Sequence, residues 1–115
     1  MAKLNNLTLD GKPVDFILYR GSNQYGSYAI WNSGWKECWG YTRNSSAYEI
    51  VTFPISFSNT DYVFTTSEWH ESDQTGSNSD TDGVDFGFTW SLKKVNSIRC
   101  SKASGRGIHF YACGW

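Results

Sequence analysis

The stretch VDFGFTWS, residues 84–91, sets Val84, Phe86, Phe88 and Trp90 at alternate positions, with Asp85, Gly87, Thr89 and Ser91 between them. A period of two belongs to a strand with one buried face, and it does not fit the 3.6-residue period of a helix. Residues 14–20, 35–42, 47–53, 61–69, 95–101 and 107–115 are also short and rich in branched or aromatic side chains. In the last of these, His109 and Tyr111 fall on the face opposite Ile108 and Phe110. Segment 35–42 alternates Trp35, Glu37, Trp39 and Tyr41 with Lys36, Cys38, Gly40 and Thr42, which predicts a strand with one aromatic face. Turn-forming residues separate these runs: DGKP before Val14, a loop over 21–27, SNT after Pro54, the basic KASGRG, and a polar loop over 70–83. No segment predicts a helix longer than a turn or two. Short strands at this spacing predict an all-β chain, an antiparallel sandwich or barrel, with residues 1–13 as a lead-in and 14–115 as one domain.

Composition supports this reading. The chain of 115 residues has six tryptophans, seven tyrosines and seven phenylalanines but two prolines and one methionine. Its start has no apolar run of the kind a secretory signal needs, and nothing reaches the length of a membrane span, so no membrane insertion is expected. Cys38, Cys100 and Cys113 are odd in number and far apart, and are expected to be reduced thiols. The formal net charge of −1 hides an asymmetry. Between 44 and 92 lie eight carboxylates and no Lys or Arg, whereas Lys93, Lys94, Arg99, Lys102 and Arg106 follow with no acid. Either neighbouring segments neutralise one another, or an acidic surface meets a basic one on a second copy. The basic cluster is too small, and the total charge too low, for nucleic-acid binding.

A catalytic site is hard to assemble from these residues. There are two histidines, His70 and His109, and WHESD lacks the second histidine of a zinc helix. Glu68, Glu71 and Asp73 sit at the mouth of a polar loop, where carboxylates are ordinarily solvated. The chain is therefore not expected to be an enzyme or to need a cofactor. Asn78, Asp80 and Asp82 ahead of Gly83 match the first half of a calcium loop. Thr89 stands where the bidentate acid belongs, leaving Asp85 as a substitute ligand or the run as an ordinary Asx-rich turn. Trp69, His70, His109 and Tyr111, flanked by carboxylates and amides, are the residue types that hold sugars: rings cover C–H patches and polar groups pair with hydroxyls. The same rings also complete cores and subunit interfaces.

Three motifs carry a resemblance. WNSGWKECWG supplies Trp31, Ser33, Gly34, Glu37, Trp39 and Gly40; FPISFSNTDYVF supplies Phe53, Pro54, Phe57, Asn59 and Tyr62; and the closing strand supplies Tyr111, Gly114 and Trp115. With VDFILYRG before them, they resemble the C-terminal domain of phage tail-fibre and minor tail proteins over residues 14–115. The final strand departs from the pattern because its last Gly and Trp are adjacent. The plan is also similar, more loosely, to H-type lectins. The resemblance implies a small β-sandwich that trimerises at a fibre tip, joins other tail proteins and contacts a bacterial surface polysaccharide. It implies a virion-tail location after synthesis in the host cytoplasm. Trp31, Trp35, Trp39, Gly40, Pro54 and Trp115 are then structural, with Trp31 sealing the base. Receptor contact falls to Trp69, His70, Glu71, Asp73, Asn78, Asp80, Arg106, His109 and Tyr111. A virion cap that binds no sugar and a free-standing lectin are the alternatives.

Overall fold

The computed structural model describes residues 8–43, 46–69, 90–101 and 107–115. Among them every regular element is a strand. A small ladder pairs β1 (Thr8–Leu9) with β2 (Lys12–Pro13) through an Asp10–Gly11 turn, where both residues take positive φ, 51° and 76°. Asp-Gly is the pair such a turn favours.

The body is a two-layer antiparallel sandwich. One layer has five strands, β3 (Ile17–Asn23), β4 (Gly26–Trp31), β5 (Lys36–Arg43), β10 (Gly107–Gly114) and β7 (Val63–Trp69), in that spatial order. The other has three, β6 (Tyr48–Thr52), β9 (Ser97–Ser101) and β8 (Trp90–Lys94).

The strands expected over 35–42, 47–53, 61–69, 95–101 and 107–115 are all present, with no end displaced by more than two residues. Of 84–91 only its last two residues are described, and they open β8. The loop expected over 21–27 is a correction. Residues 17–23 and 26–31 form a tight hairpin around Gln24–Tyr25, with Gly21 opposite Tyr28 and Ser22 opposite Ser27. Gly and Ser in this stretch read as loop, but the small residues lie under a ring: the Tyr28 side chain covers Gly21 so closely that a Cβ there would come within 2.4 Å of it.

The core lies between the layers. Val51 and Ile98, directly paired, face Cys38, Ile108, Phe110 and Ala112 of the larger sheet, and all are buried. Phe53 joins the layers through contacts with the rings of Phe57, Tyr62, Phe64 and Phe110, at centroid separations of 5.2 to 5.9 Å. The Tyr62 hydroxyl enters this apolar region by donating to the Lys94 carbonyl oxygen at 2.6 Å, as a buried phenol must. Gly40 has a packing reason: a Cβ there would lie 2.9 Å from the Phe110 ring and 3.0 Å from the Tyr25 carbonyl oxygen.

The base is closed by the chain ends. Asp15 accepts hydrogen bonds from the Ser33 backbone N–H and hydroxyl, at 3.0 and 2.6 Å, and strapping the 31–35 turn in this way holds its carboxyl below the usual range. Trp35 meets Trp115 edge-on at 5.1 Å, and the Trp115 carbonyl oxygen accepts from the Ser58 N–H. Pro54 lies beside the hairpin, its carbonyl oxygen accepting from the Asn23 side chain at 3.0 Å.

Candidate functional site

Strand alternation gives the five-stranded sheet two unlike faces. On β10, Ile108, Phe110 and Ala112 point into the core, so His109, Tyr111 and Cys113 point out. Register then fixes their neighbours. Tyr41 lies opposite His109, Trp39 opposite Tyr111 and Glu37 opposite Cys113 on β5; Ser67, Thr65 and Val63 stand opposite the same three residues on β7. The aromatic face expected for 35–42 is therefore the outer one, and small Cys38, Gly40 and Thr42 fill the inner side beneath the Phe110 ring.

Glu37 organises this outer face. One carboxylate oxygen accepts from the Trp31 indole N–H at 2.6 Å, and the other accepts from the Tyr111 hydroxyl. Burial, reinforced by the Glu37 charge, pushes the Tyr111 phenol above its usual 10.0, so it stays protonated and its only proton is committed to Glu37. Toward solvent the Tyr111 oxygen can then act only as an acceptor. Burial likewise raises the neighbouring Cys113 thiol, against a lowering by its contact with the Tyr111 hydroxyl, and the Glu37 charge adds to the rise.

Beside Tyr111 runs an open groove of about 260 Å³, lined by Thr65, Thr66, Ser67, His109, Phe110 and Tyr111. Hydroxyls border two rings here, in a shallow trough on the sheet.

A second opening of about 150 Å³ lies on the flank, between the Gln24–Tyr25 turn, the Tyr41–Thr42 end of β5, and Ile50 and Thr52 of β6. The two openings meet at Tyr41 and His109, whose rings are tilted at 45° with centroids 5.0 Å apart. Gly107 makes room for this pair, since a Cβ there would come within 2.6 Å of the Tyr41 ring. Beneath the flank opening, Thr42 donates its hydroxyl proton to Glu49. Glu49 is a buried carboxylate whose other oxygen has no hydrogen-bond partner among the described residues.

The residues singled out from sequence fall in four places. His109, Tyr111, Trp31 and Trp39 come together on the outer face, and the structural and receptor-binding sets are joined there through Glu37. Trp31 stands at the basal end of β4 with its indole turned to Glu37, whereas Trp35 and Trp115 close the base. Trp69 ends β7 in the same row as Arg43 and Gly107. His70, Glu71, Asp73, Asn78, Asp80, Asp82, Asp85 and Arg106, and with them the calcium half-loop, lie outside the described residues. Among the described residues no His, Cys, Asp and Glu cluster has metal-ligand geometry. All three cysteines are free, with Cys38 and Cys100 buried.

Sequence reasoning missed Tyr25, Thr42, Thr65 and Ser67 as site residues. The signal available for Glu37 was its position: one acid inside an otherwise aromatic alternation, Trp35–Glu37–Trp39–Tyr41.

No protein-family model matches the sequence, and no curated protein matches it. Solved structures do share the architecture. The chain is similar to a C-terminal portion of the R2 pyocin fibre of P. aeruginosa, with a TM-score of 0.57 at 14% identity over 85% of this chain and 26% of that one. It is also similar to an N-truncated R1-type pyocin tail fibre, with a TM-score of 0.53 at 16% identity over 85% of this chain and 87% of that one. At these identities the likeness establishes the fold, and this chain spans about a quarter of the R2 fibre fragment.

Proposed function

We propose that this chain is a tail-fibre tip domain that binds a bacterial surface glycan, without catalysis and without a cofactor, as a trimer within a phage or phage-like tail. The observation that carries the reading is the outer groove beside β10. It combines the Tyr111 and His109 rings with the hydroxyls of Thr65 and Ser67 on one face of the sheet. Rings stack on the C–H faces of a sugar, and fixed hydroxyls pair with its own. The fold shared with pyocin fibres supports placement in a tail.

Trimerisation is supported by apolar surface at the lead-in and the adjoining edge strand. Leu9, Ile17, Leu18 and Tyr19 are exposed there, and β3 is an outer strand of its sheet. Exposed strand edges with apolar side chains ordinarily have a cover. A weak single site repeated three times gives useful avidity on a repetitive polysaccharide.

Two measurements test the reading. Light scattering on the purified chain is expected to give three times the chain mass, and a monomer at micromolar concentration refutes the trimer. A glycan array is expected to give saccharide hits that weaken on His109→Ala. An empty array from a correctly folded trimer leaves the virion cap as the better reading.

A further inference from the structure

The two openings share a construction. In each, a hydroxyl at the wall donates its hydrogen bond to a carboxylate behind it: Tyr111 to Glu37 in the outer groove, Thr42 to Glu49 on the flank. Each hydroxyl is thereby locked with its lone pairs as the group it can offer a ligand. Both openings therefore ask for ligand donors, O–H or N–H. Neither has a Lys or Arg among its described lining residues, and a carboxylate stands behind each. An acidic sugar would meet negative charge with no Lys or Arg among the described lining residues to offset it, whereas a neutral one meets acceptors and rings. Each opening also has exposed aromatic surface, Tyr25 and Tyr41 on the flank, Tyr111 in the groove. They adjoin across the single Tyr41–His109 pair.

We infer that the two openings are subsites for one uncharged oligosaccharide, which lies across the Tyr41–His109 ridge and donates hydroxyl protons to Tyr111 on one side and Thr42 on the other. The inference rests on the saccharide-binding reading above, and it adds length and charge to it. A monosaccharide fills one subsite; a longer chain gains the second ring contact and the second fixed acceptor. With the second ring contact and the second fixed acceptor, a tetrasaccharide is expected to bind on the order of tenfold, about 1.4 kcal/mol, more tightly than its monosaccharide.

The test uses the full chain in its native oligomeric state, on an array of matched neutral and uronate-containing oligosaccharides from monosaccharide to hexasaccharide. Neutral members are expected to bind, with affinity rising with length until both subsites are filled. Tyr25→Ala is expected to bring the tetrasaccharide down toward the monosaccharide's affinity. Thr42→Val removes a partner of buried Glu49 and risks the fold, so Thr42→Ser, which keeps the acceptor, serves as the control that retains the length effect. Affinity that saturates at the monosaccharide, or uronate members that bind as well as neutral ones, overturns this inference and leaves the glycan-binding reading standing. No retention of any member by a folded chain overturns both.

Discussion

The two faces of the five-stranded sheet come from the same strands yet treat aromatic side chains in opposite ways. On the inner face, Phe64 and Phe110 are fillers that meet Phe53, and nothing polar is asked of them. On the outer face, Trp31 and Tyr111 are polar handles tied to one carboxylate. The difference shows what alternation alone does not reveal. A ring at every second position establishes a strand, but which face is the core depends on what lies opposite. On β5 the core side belongs to Cys38 and Gly40, because the Phe110 ring from the neighbouring strand already occupies that space.

The largest expected effect lies on the inner side. Phe53→Ala removes the ring that bridges four others between the layers and is expected to cost about 3–5 kcal/mol. Chemical denaturation read by tryptophan fluorescence measures this, and a loss below about 1 kcal/mol would mean that the layers do not depend on that ring. Gly40→Ala comes next. Its methyl would sit 2.9 Å from the Phe110 ring and 3.0 Å from the Tyr25 carbonyl oxygen, both held in place, so overpacking of about 1–3 kcal/mol is expected. A neutral result in the same denaturation series would show that β5 can move away from the core.

The outer face is expected to respond differently. Glu37→Gln retains volume but loses charge, and its amide can accept from only one of Trp31 and Tyr111. The expected stability loss is about 0.5–1.5 kcal/mol. A larger relative effect is expected in saccharide binding, because the freed Tyr111 hydroxyl can rotate and no longer presents a fixed acceptor. If stability falls as far as it does for Phe53→Ala while binding is unchanged, Glu37 belongs to the framework and not to the site.

The sheets were legible in sequence because β5, β6, β7, β9 and β10 carry clear alternation or branched and aromatic runs bounded by turn residues. The hairpin of β3 and β4 was legible only in the first half of β3, within the strand expected over 14–20, because Gly21, Ser22, Gly26 and Ser27 carry loop chemistry. Their strand role depends on a long-range fact: Gly21 must yield space to Tyr28, and a Cβ at Gly26 would lie 2.4 Å from the Trp39 carbonyl oxygen. The site was half legible. His109 and Tyr111 stood out as ring-bearing positions on an outward face. Thr42, Thr65 and Ser67 are ordinary residues whose meaning comes from the registers that set β5 and β7 beside β10. No local pattern encodes that adjacency.

The smallest effect at neutral pH concerns the thiols, and it separates the faces again. Burial between the layers pushes Cys38 from the usual 9.0 up to about 12, and Cys100 up to about 11, the latter reinforced by the Glu49 charge. Both thiols are neutral in the folded chain at pH 7 and contribute their full stabilisation there. For a group whose folded value is raised, the unfolded chain releases its proton first. Stability is therefore expected to hold up to about pH 9 and then fall as pH climbs toward 11 and 12. Tyr62, also raised by burial to about 12 from 10.0, steepens the upper part of that fall. On the outer face Cys113 is only half-buried, so it is expected to react with iodoacetamide first in the native chain at pH 8. Mass spectrometry of the partly alkylated chain decides the order. Labelling of Cys38 or Cys100 ahead of Cys113 would mean that the layers open more readily than the outer face exchanges solvent, reversing the contrast between the two faces.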